Sequence, residues 1–120
     1  MNVETIREYC LSKRGAVEDY PFDEETLVIK VLGKMFALIS LDSIPLQVNL
    51  KCNPEKAIEL RERYKNVIPG WHMNKKHWNT VIINGGFSWT ELKGWIDHSY
   101  EEVVKKLKKS ERNILERKYS

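Results

Sequence analysis

Apolar residues recur along this chain with two periods, and the switches between them mark out the elements. Near the start Val3, Ile6 and Cys10 share one helical stripe with Tyr9 beside them. Asn2 stands where an N-cap belongs, and Gly15 where a helix stops. The acid-rich run Glu18 to Glu25, broken by Pro21, predicts an irregular turn. Beyond it, Thr26 to Val31 and Met35 to Leu41 are β-rich runs joined around Gly33, the pattern of a hairpin. From Pro45 the period is two: Leu46, Val48 and Leu50 lie on one face and Gln47, Asn49 and Lys51 on the other. This predicts a strand with one side toward solvent.

The helical period returns at Asn53, a cap followed by Pro54 at the first helical position. Ala57, Leu60, Arg61 and Tyr64 form its stripe, which runs to Asn66. Thr80 to Ile83 reads as a strand stopped by Asn84-Gly85-Gly86. Ser88-Trp89-Thr90-Glu91 has the spacing of a capping box, in which the Ser hydroxyl and the Glu carboxylate each accept a backbone N–H that the helix leaves unpaired. It opens a long C-terminal helix with its stripe at Leu92, Ile96, Ser99/Tyr100, Val103 and Leu107. Strands in the middle, a helix at each end and one helix inserted among the strands describe an α+β domain with a mostly antiparallel sheet. With no internal repeat or linker, residues 1–120 read as a single domain. Residues 109–120 form a charged C-terminal extension that either lengthens the last helix or frays.

Composition narrows the picture. Hydrophobic residues make up 42% of the chain, with four Trp, five Tyr and three Phe, enough to fill one core without a covalent staple. Cys10 and Cys52 are isolated, with no CxxC, no zinc-type Cys/His spacing and no signal peptide, so buried inert thiols in a cytoplasmic protein are expected. No apolar stretch approaches the roughly 20 residues that span a bilayer, so no membrane partner is expected. The net charge of +3 hides an asymmetry: residues 1–60 hold 7 Lys and Arg against 10 Asp and Glu, and residues 61–120 hold 13 against 7. The basic half fits an anionic partner held by one face.

The most unusual stretch is Pro69-Gly70-Trp71-His72-Met73-Asn74-Lys75-Lys76-His77-Trp78. It resembles the hallmark of the MmcQ/YjbR family, an aromatic-His-x-Asn-Lys-x-His-Trp run after Pro-Gly. Tyr20-Pro21-Phe22, Gly33-Lys34-Met35-Phe36, Lys51-x-x-Pro54 and Ser99-Tyr100 agree with the same family, so that the likeness spans about residues 2 to 108. The resemblance implies a CyaY-like fold, an antiparallel sheet with its helices packed on one side. It also implies a likeness to DNA-binding proteins through a double-wing arrangement of β-hairpins, and it transfers no catalytic residue.

Read physically, this segment allows two geometries. A tight hairpin around Asn74-Lys75 places Trp71 opposite Trp78 and His72 opposite His77. Lys75 fits the positive φ of a type I′ turn poorly, so a longer loop or a single helical turn capped by Asn74 is equally open. In both, Lys75 and Lys76 reach solvent, and ammonium groups beside aromatic rings suit phosphates and bases. Helical spacing adds Arg61 and Lys65, four residues apart. The candidate nucleic-acid-binding set is therefore Trp71, His72, Asn74, Lys75, Lys76, His77, Trp78, Arg61 and Lys65. Trp71 and Trp78 also fit as sheet-covering residues, Lys30, Lys34 and Lys51 as solvated spacers, and the two histidines as structural hydrogen-bonders. No nucleophile, base and orienting group fall into a known pattern, and five-residue His spacing suits no usual zinc site. The expectation is a monomeric, non-enzymatic module without metal or cofactor, binding DNA or another nucleic acid. The alternative is a protein-interaction or small-ligand module that uses the open sheet face or an aromatic groove near Trp71 and Trp78.

Overall fold

The computed structural model describes residues 1–71 and 73–119. Helix α1 (Val3–Leu11) begins where Asn2 Oδ1 accepts the Thr5 N–H at 2.9 Å. Strands β1 (Ala16–Asp19), β2 (Thr26–Val31), β3 (Lys34–Ser40) and β4 (Gln47–Lys51) follow, then helix α2 (Pro54–Arg63), strands β5 (Val67–Pro69) and β6 (Trp78–Ile82), and helices α3 (Trp89–Val104) and α4 (Lys109–Tyr119). The six strands form one sheet in the order β1-β2-β3-β4-β6-β5, and every neighbouring pair is antiparallel. This is the α+β architecture expected. The capping box at Ser88 and Glu91 is complete, and Asn53 caps α2 with Pro54 at the first turn.

Three elements depart from the sequence reading. Strand β1 lies in the stretch read as the approach to an acidic turn. It carries no buried residue, and pairing with β2 holds it together with two ion pairs, Arg7 to Glu18 at 2.7 Å and Lys30 to Asp19 at 2.9 Å. Strand β5 has three residues, too few to show a period. The expected long final helix is two helices: α3 ends at Val104, and α4 restarts after Lys108, whose N–H is taken by Glu111 Oε1 at 3.0 Å. Burial of Leu107 and Leu115 in the main core explains the break, since a straight extension of α3 would carry Leu115 past the core.

The main core lies between one face of the sheet and the helices. Ile6 and Cys10 of α1, Leu92, Trp95, Ile96 and Val103 of α3, and Leu115 of α4 pack on Leu27, Ile29, Phe36, Ile39, Val48 and Val81. Burial pushes the Cys10 thiol up to about 12 and the Cys52 thiol up to about 11, so neither forms the reactive thiolate near neutral pH. The opposite face is only partly open. Val28, Leu38 and Trp78 form a small second cluster there, joined by Met35 and Met73. Asn49, read on the solvent side of its strand, is buried, and its Oδ1 accepts the Thr80 hydroxyl.

Two local features fix where chain segments meet at one end of the sheet. The β2–β3 hairpin turns in two residues, Leu32 at φ 47° and Gly33 at φ 80°, the positive pair of a type I′ turn. Leu32 accepts a backbone that costs a β-carbon residue about 1–3 kcal/mol, partly offset by its packing on the main core. Ser99, fully buried on α3, supplies the second feature. The β3–β4 ladder ends at Ala37 and Leu50, and the Ser99 hydroxyl takes the next groups along, donating to Phe36 C=O at 2.5 Å and accepting the Lys51 N–H at 2.8 Å. Ser99→Ala should lower stability in urea by about 1–3 kcal/mol, because a buried N–H and C=O lose their partner at once. A change within about 0.3 kcal/mol would show that α3 needs no such anchor.

Candidate nucleic-acid interface

Between β5 and β6 the chain makes a loop, not a tight hairpin. Pro69 pairs with Asn79 and the Gly70 N–H bonds Trp78 C=O at 2.9 Å, so Trp71 does not face Trp78. Gly70 is required at this approach, since a β-carbon there would lie 2.8 Å from Trp78 Cβ and 3.0 Å from Trp78 O. The loop then closes through Asn74, whose Oδ1 accepts the Lys76 N–H at 2.9 Å and whose C=O accepts the His77 N–H at 3.2 Å. The two tryptophans have separate fates. Trp78 is buried in the second cluster, whereas Trp71 is 64% exposed with its N–H on Thr80 Oγ1 at 2.9 Å. His72 lies outside the described residues, so the predicted His pairing has no structural counterpart to compare.

Arg61 has a structural role that its spacing alone did not show. Its Nε donates to Asn79 Oδ1 at 2.6 Å, and its Nη2 donates to Lys75 C=O and, at 3.3 Å, to Trp78 C=O. The guanidinium therefore holds the loop against α2. Lys65 does not share its helix face, because Tyr64 leaves α2 in extended conformation at φ −122°, ψ 120°. Lys75 and Lys76 are exposed, as expected, and His77 is half-buried with its C=O on the Cys52 N–H at 2.8 Å.

Of the three lysines read as spacers, Lys30 pairs with Asp19, whereas the other two gather with a third from the tail. Lys34 at the hairpin turn, Lys51 at the end of β4 and Lys106 just past α3 line one depression of about 410 Å³, floored by Met35, Trp78 and Leu107. Among the described residues none of these three ammonium groups makes an ion pair. Burial lowers the Lys51 pKa below the ordinary lysine value, and Lys106 and Lys34 lower it further against an opposing pull from Glu102. His77 is lowered as well, by burial first and then by Lys106, Lys76 and Lys51, which places the loop lysine in the same field. The nearby acid, Glu102, is already bonded to Lys105 at 2.5 Å. The result is a concave site with unbalanced positive charge, suited to an anion. Two of its lysines belong to short family-like fragments, Gly33-Lys34 and Lys51-x-x-Pro54, and those fragments were the signal available in the sequence.

A finished antiparallel sheet, helices over its main face and a clamped aromatic loop beside a lysine-lined depression define a small α+β domain built around one sheet. The YjbR family model matches residues 11–102, and the chain belongs to that family. It is 32% identical over 115 residues to the YjbR protein of Escherichia coli K12, covering 96% of this chain and 98% of that one. To the YbdF protein of Escherichia coli O157:H7 it is 38% identical over 107 residues, covering 88% and 87%. Its structure is similar to the crystal structure of Deinococcus radiodurans protein DR2400, at TM-score 0.89 and 40% identity over 95% of this chain and 87% of that one. A Pseudomonas syringae protein superposes at TM-score 0.73 and 26% identity, over 85% and 98%. Family membership accounts for the fold; the chemistry has to come from the side chains.

Two measurements test how the site is held. Arg61→Ala should speed amide exchange across residues 74–78 and cost about 1–3 kcal/mol of stability, with Arg61→Lys failing to restore either because the fork serves three acceptors. Unchanged exchange would remove the clamp. The second concerns His98, whose Nε2 accepts the Asn53 N–H at 3.1 Å, a bond that only the neutral ring makes. Burial, followed by Lys56, holds its pKa below the ordinary 6.5, against Glu102 and Glu101. Above about pH 6.5 neither folded nor unfolded state carries the proton and the contribution is complete; as pH falls toward the lowered folded value, the unfolded chain gains a proton that the folded one refuses. Stability in urea should therefore drop from about pH 7 to about pH 5, and less steeply in His98→Gln, with His77 supplying a remainder of the same sign. Identical slopes would exclude His98.

Proposed function

We propose that this domain is a non-enzymatic nucleic-acid-binding module that meets phosphates with the lysines at the end of its sheet. The observation that carries the reading is the convergence of Lys34, Lys51 and Lys106, none of which makes an ion pair among the described residues. The exposed Lys75 and Lys76 extend the same charge along the clamped loop. Each ammonium that meets a phosphate releases condensed counter-ions from the nucleic acid, so affinity becomes steeply salt-dependent. The β2–β3 turn brings Lys34 forward to this surface, which is what a hairpin acting as a wing has to do. Trp71 stands on the face away from the main core as a stacking candidate. Recognition through the open sheet face has less to work with, because Asn49 is committed to Thr80.

Fluorescence anisotropy with duplex and single-stranded DNA at several salt concentrations tests the reading. For duplex DNA, the slope of log affinity against log salt should flatten by about 2.7 units in Lys34→Ala/Lys51→Ala/Lys106→Ala. In Lys75→Ala/Lys76→Ala it should flatten by about 1.8 units, with stability changed by no more than about 0.5 kcal/mol. Absence of binding at low salt, or slopes that neither variant alters, would overturn the proposal.

A further inference from the structure

The lysine-lined depression has a shape that a continuous polyanion does not need. Phosphates along a strand are met by cations spread over a convex or grooved surface, one charge at a time. Here three lysines come from three separate elements, the β2–β3 turn, the end of β4 and the segment after α3, and they line a single recess of about 410 Å³, near enough for Lys34 and Lys106 to act on the Lys51 charge. Recesses of this size take small molecules or the end of a larger one. Lys51 is half-buried within it, and the charges around it are of its own sign except for Glu102, which Lys105 already neutralises.

We infer that this recess is a seat for a phosphomonoester, either a free nucleoside monophosphate or the 5′-phosphate at the end of a strand. The inference rests on the phosphate-binding reading above and names the group that the recess takes. An internal phosphodiester carries one negative charge and is flanked by sugars on both sides, so it engages these cations one at a time and does not fill the recess. A monoester carries about 1.5 to 2 negative charges near neutral pH and has three free oxygens, one for each ammonium group to approach. Lysine suits the task, since compact point charges can surround a tetrahedral group from several directions without the planar fork that arginine imposes. The floor of Met35, Trp78 and Leu107 gives apolar contact to a sugar, but Trp78 is only 7% exposed and offers no open ring face for a base to stack on. The seat therefore reads the phosphate and discriminates weakly among bases.

Titration calorimetry and backbone NMR on the whole chain, with adenosine 5′-monophosphate and adenosine as probes, test the inference. The monophosphate should bind at least about tenfold more tightly than the nucleoside, a margin of about 1.4 kcal/mol, and shift the amides of Lys34, Lys51 and Lys106. Lys51→Ala and Lys106→Ala should each remove that preference while the NMR spectrum stays that of the folded protein. The inference is overturned if monophosphate and nucleoside bind alike, or if the preference survives both substitutions. An oligonucleotide carrying a 5′-phosphate and its 5′-hydroxyl twin identify the source: tighter binding of the phosphorylated strand supports the strand end. Binding of the monophosphate with no binding of either strand at low salt supports the seat and overturns the nucleic-acid reading. Equal binding of both strands, without preference for monophosphate over nucleoside, overturns the seat and leaves that reading standing.

Discussion

One oxygen, the Ser99 hydroxyl, determines where the longest helix lies on the sheet. At the point where the β3–β4 ladder ends, it substitutes for the next rung, accepting from β4 and donating to β3. A buried hydroxyl that satisfies two backbone groups is well specified in position, because displacement of even an ångström would leave both groups unpaired in an apolar interior. The rest of the site follows from that placement. One turn beyond Ser99, α3 presents Val103 to the core, and its exit sets Lys106 and Leu107 against the end of β4 and the β2–β3 turn. The fold's internal accounting of hydrogen bonds thus brings three like charges to one place, where Coulombic repulsion alone would keep them apart.

How much of this was legible in the sequence depended on whether the physics was local. Helix starts were readable at Asn2, Asn53-Pro54 and Ser88-Glu91 because cap chemistry involves residues within three positions of each other. The hairpin at Gly33 and the alternation through Val48 and Leu50 were readable for the same reason. Strands β1 and β5 were not, since an edge strand with exposed side chains, or one of three residues, carries no periodic burial. The site was less legible still. The clamp made by Arg61 was not readable, because its acceptors on Lys75, Trp78 and Asn79 are assembled only by folding. Lys34, Lys51 and Lys106 stand far apart in the chain, and only the topology makes them neighbours.

The family-like segments divide accordingly. Within the aromatic and basic run, Gly70, Asn74 and Trp78 are architectural: one permits close approach, one closes the turn and one fills the second cluster. Ser99 and Tyr100 are architectural too, Tyr100 by donating to Arg14 C=O at 2.5 Å and packing edge-on against Phe36. What those residues hold in place is the lysine surface beside them. A distinctive sequence pattern in this fold therefore marks the frame of the site more than its contacting groups.

The sheet's two borders carry a consequence of a different kind. At one border, β1 shows solvent the two acidic side chains Glu18 and Asp19, each tied back by a basic neighbour. At the other, β5 is three residues long and ends on Pro69, which has no N–H to offer an incoming strand. Neither border is a good template for another chain to add its own backbone, so accretion of copies edge to edge is disfavoured at both sides. Edge-to-edge growth is thus disfavoured by the side chains and the proline that finish the sheet, and the ladder stops at six strands.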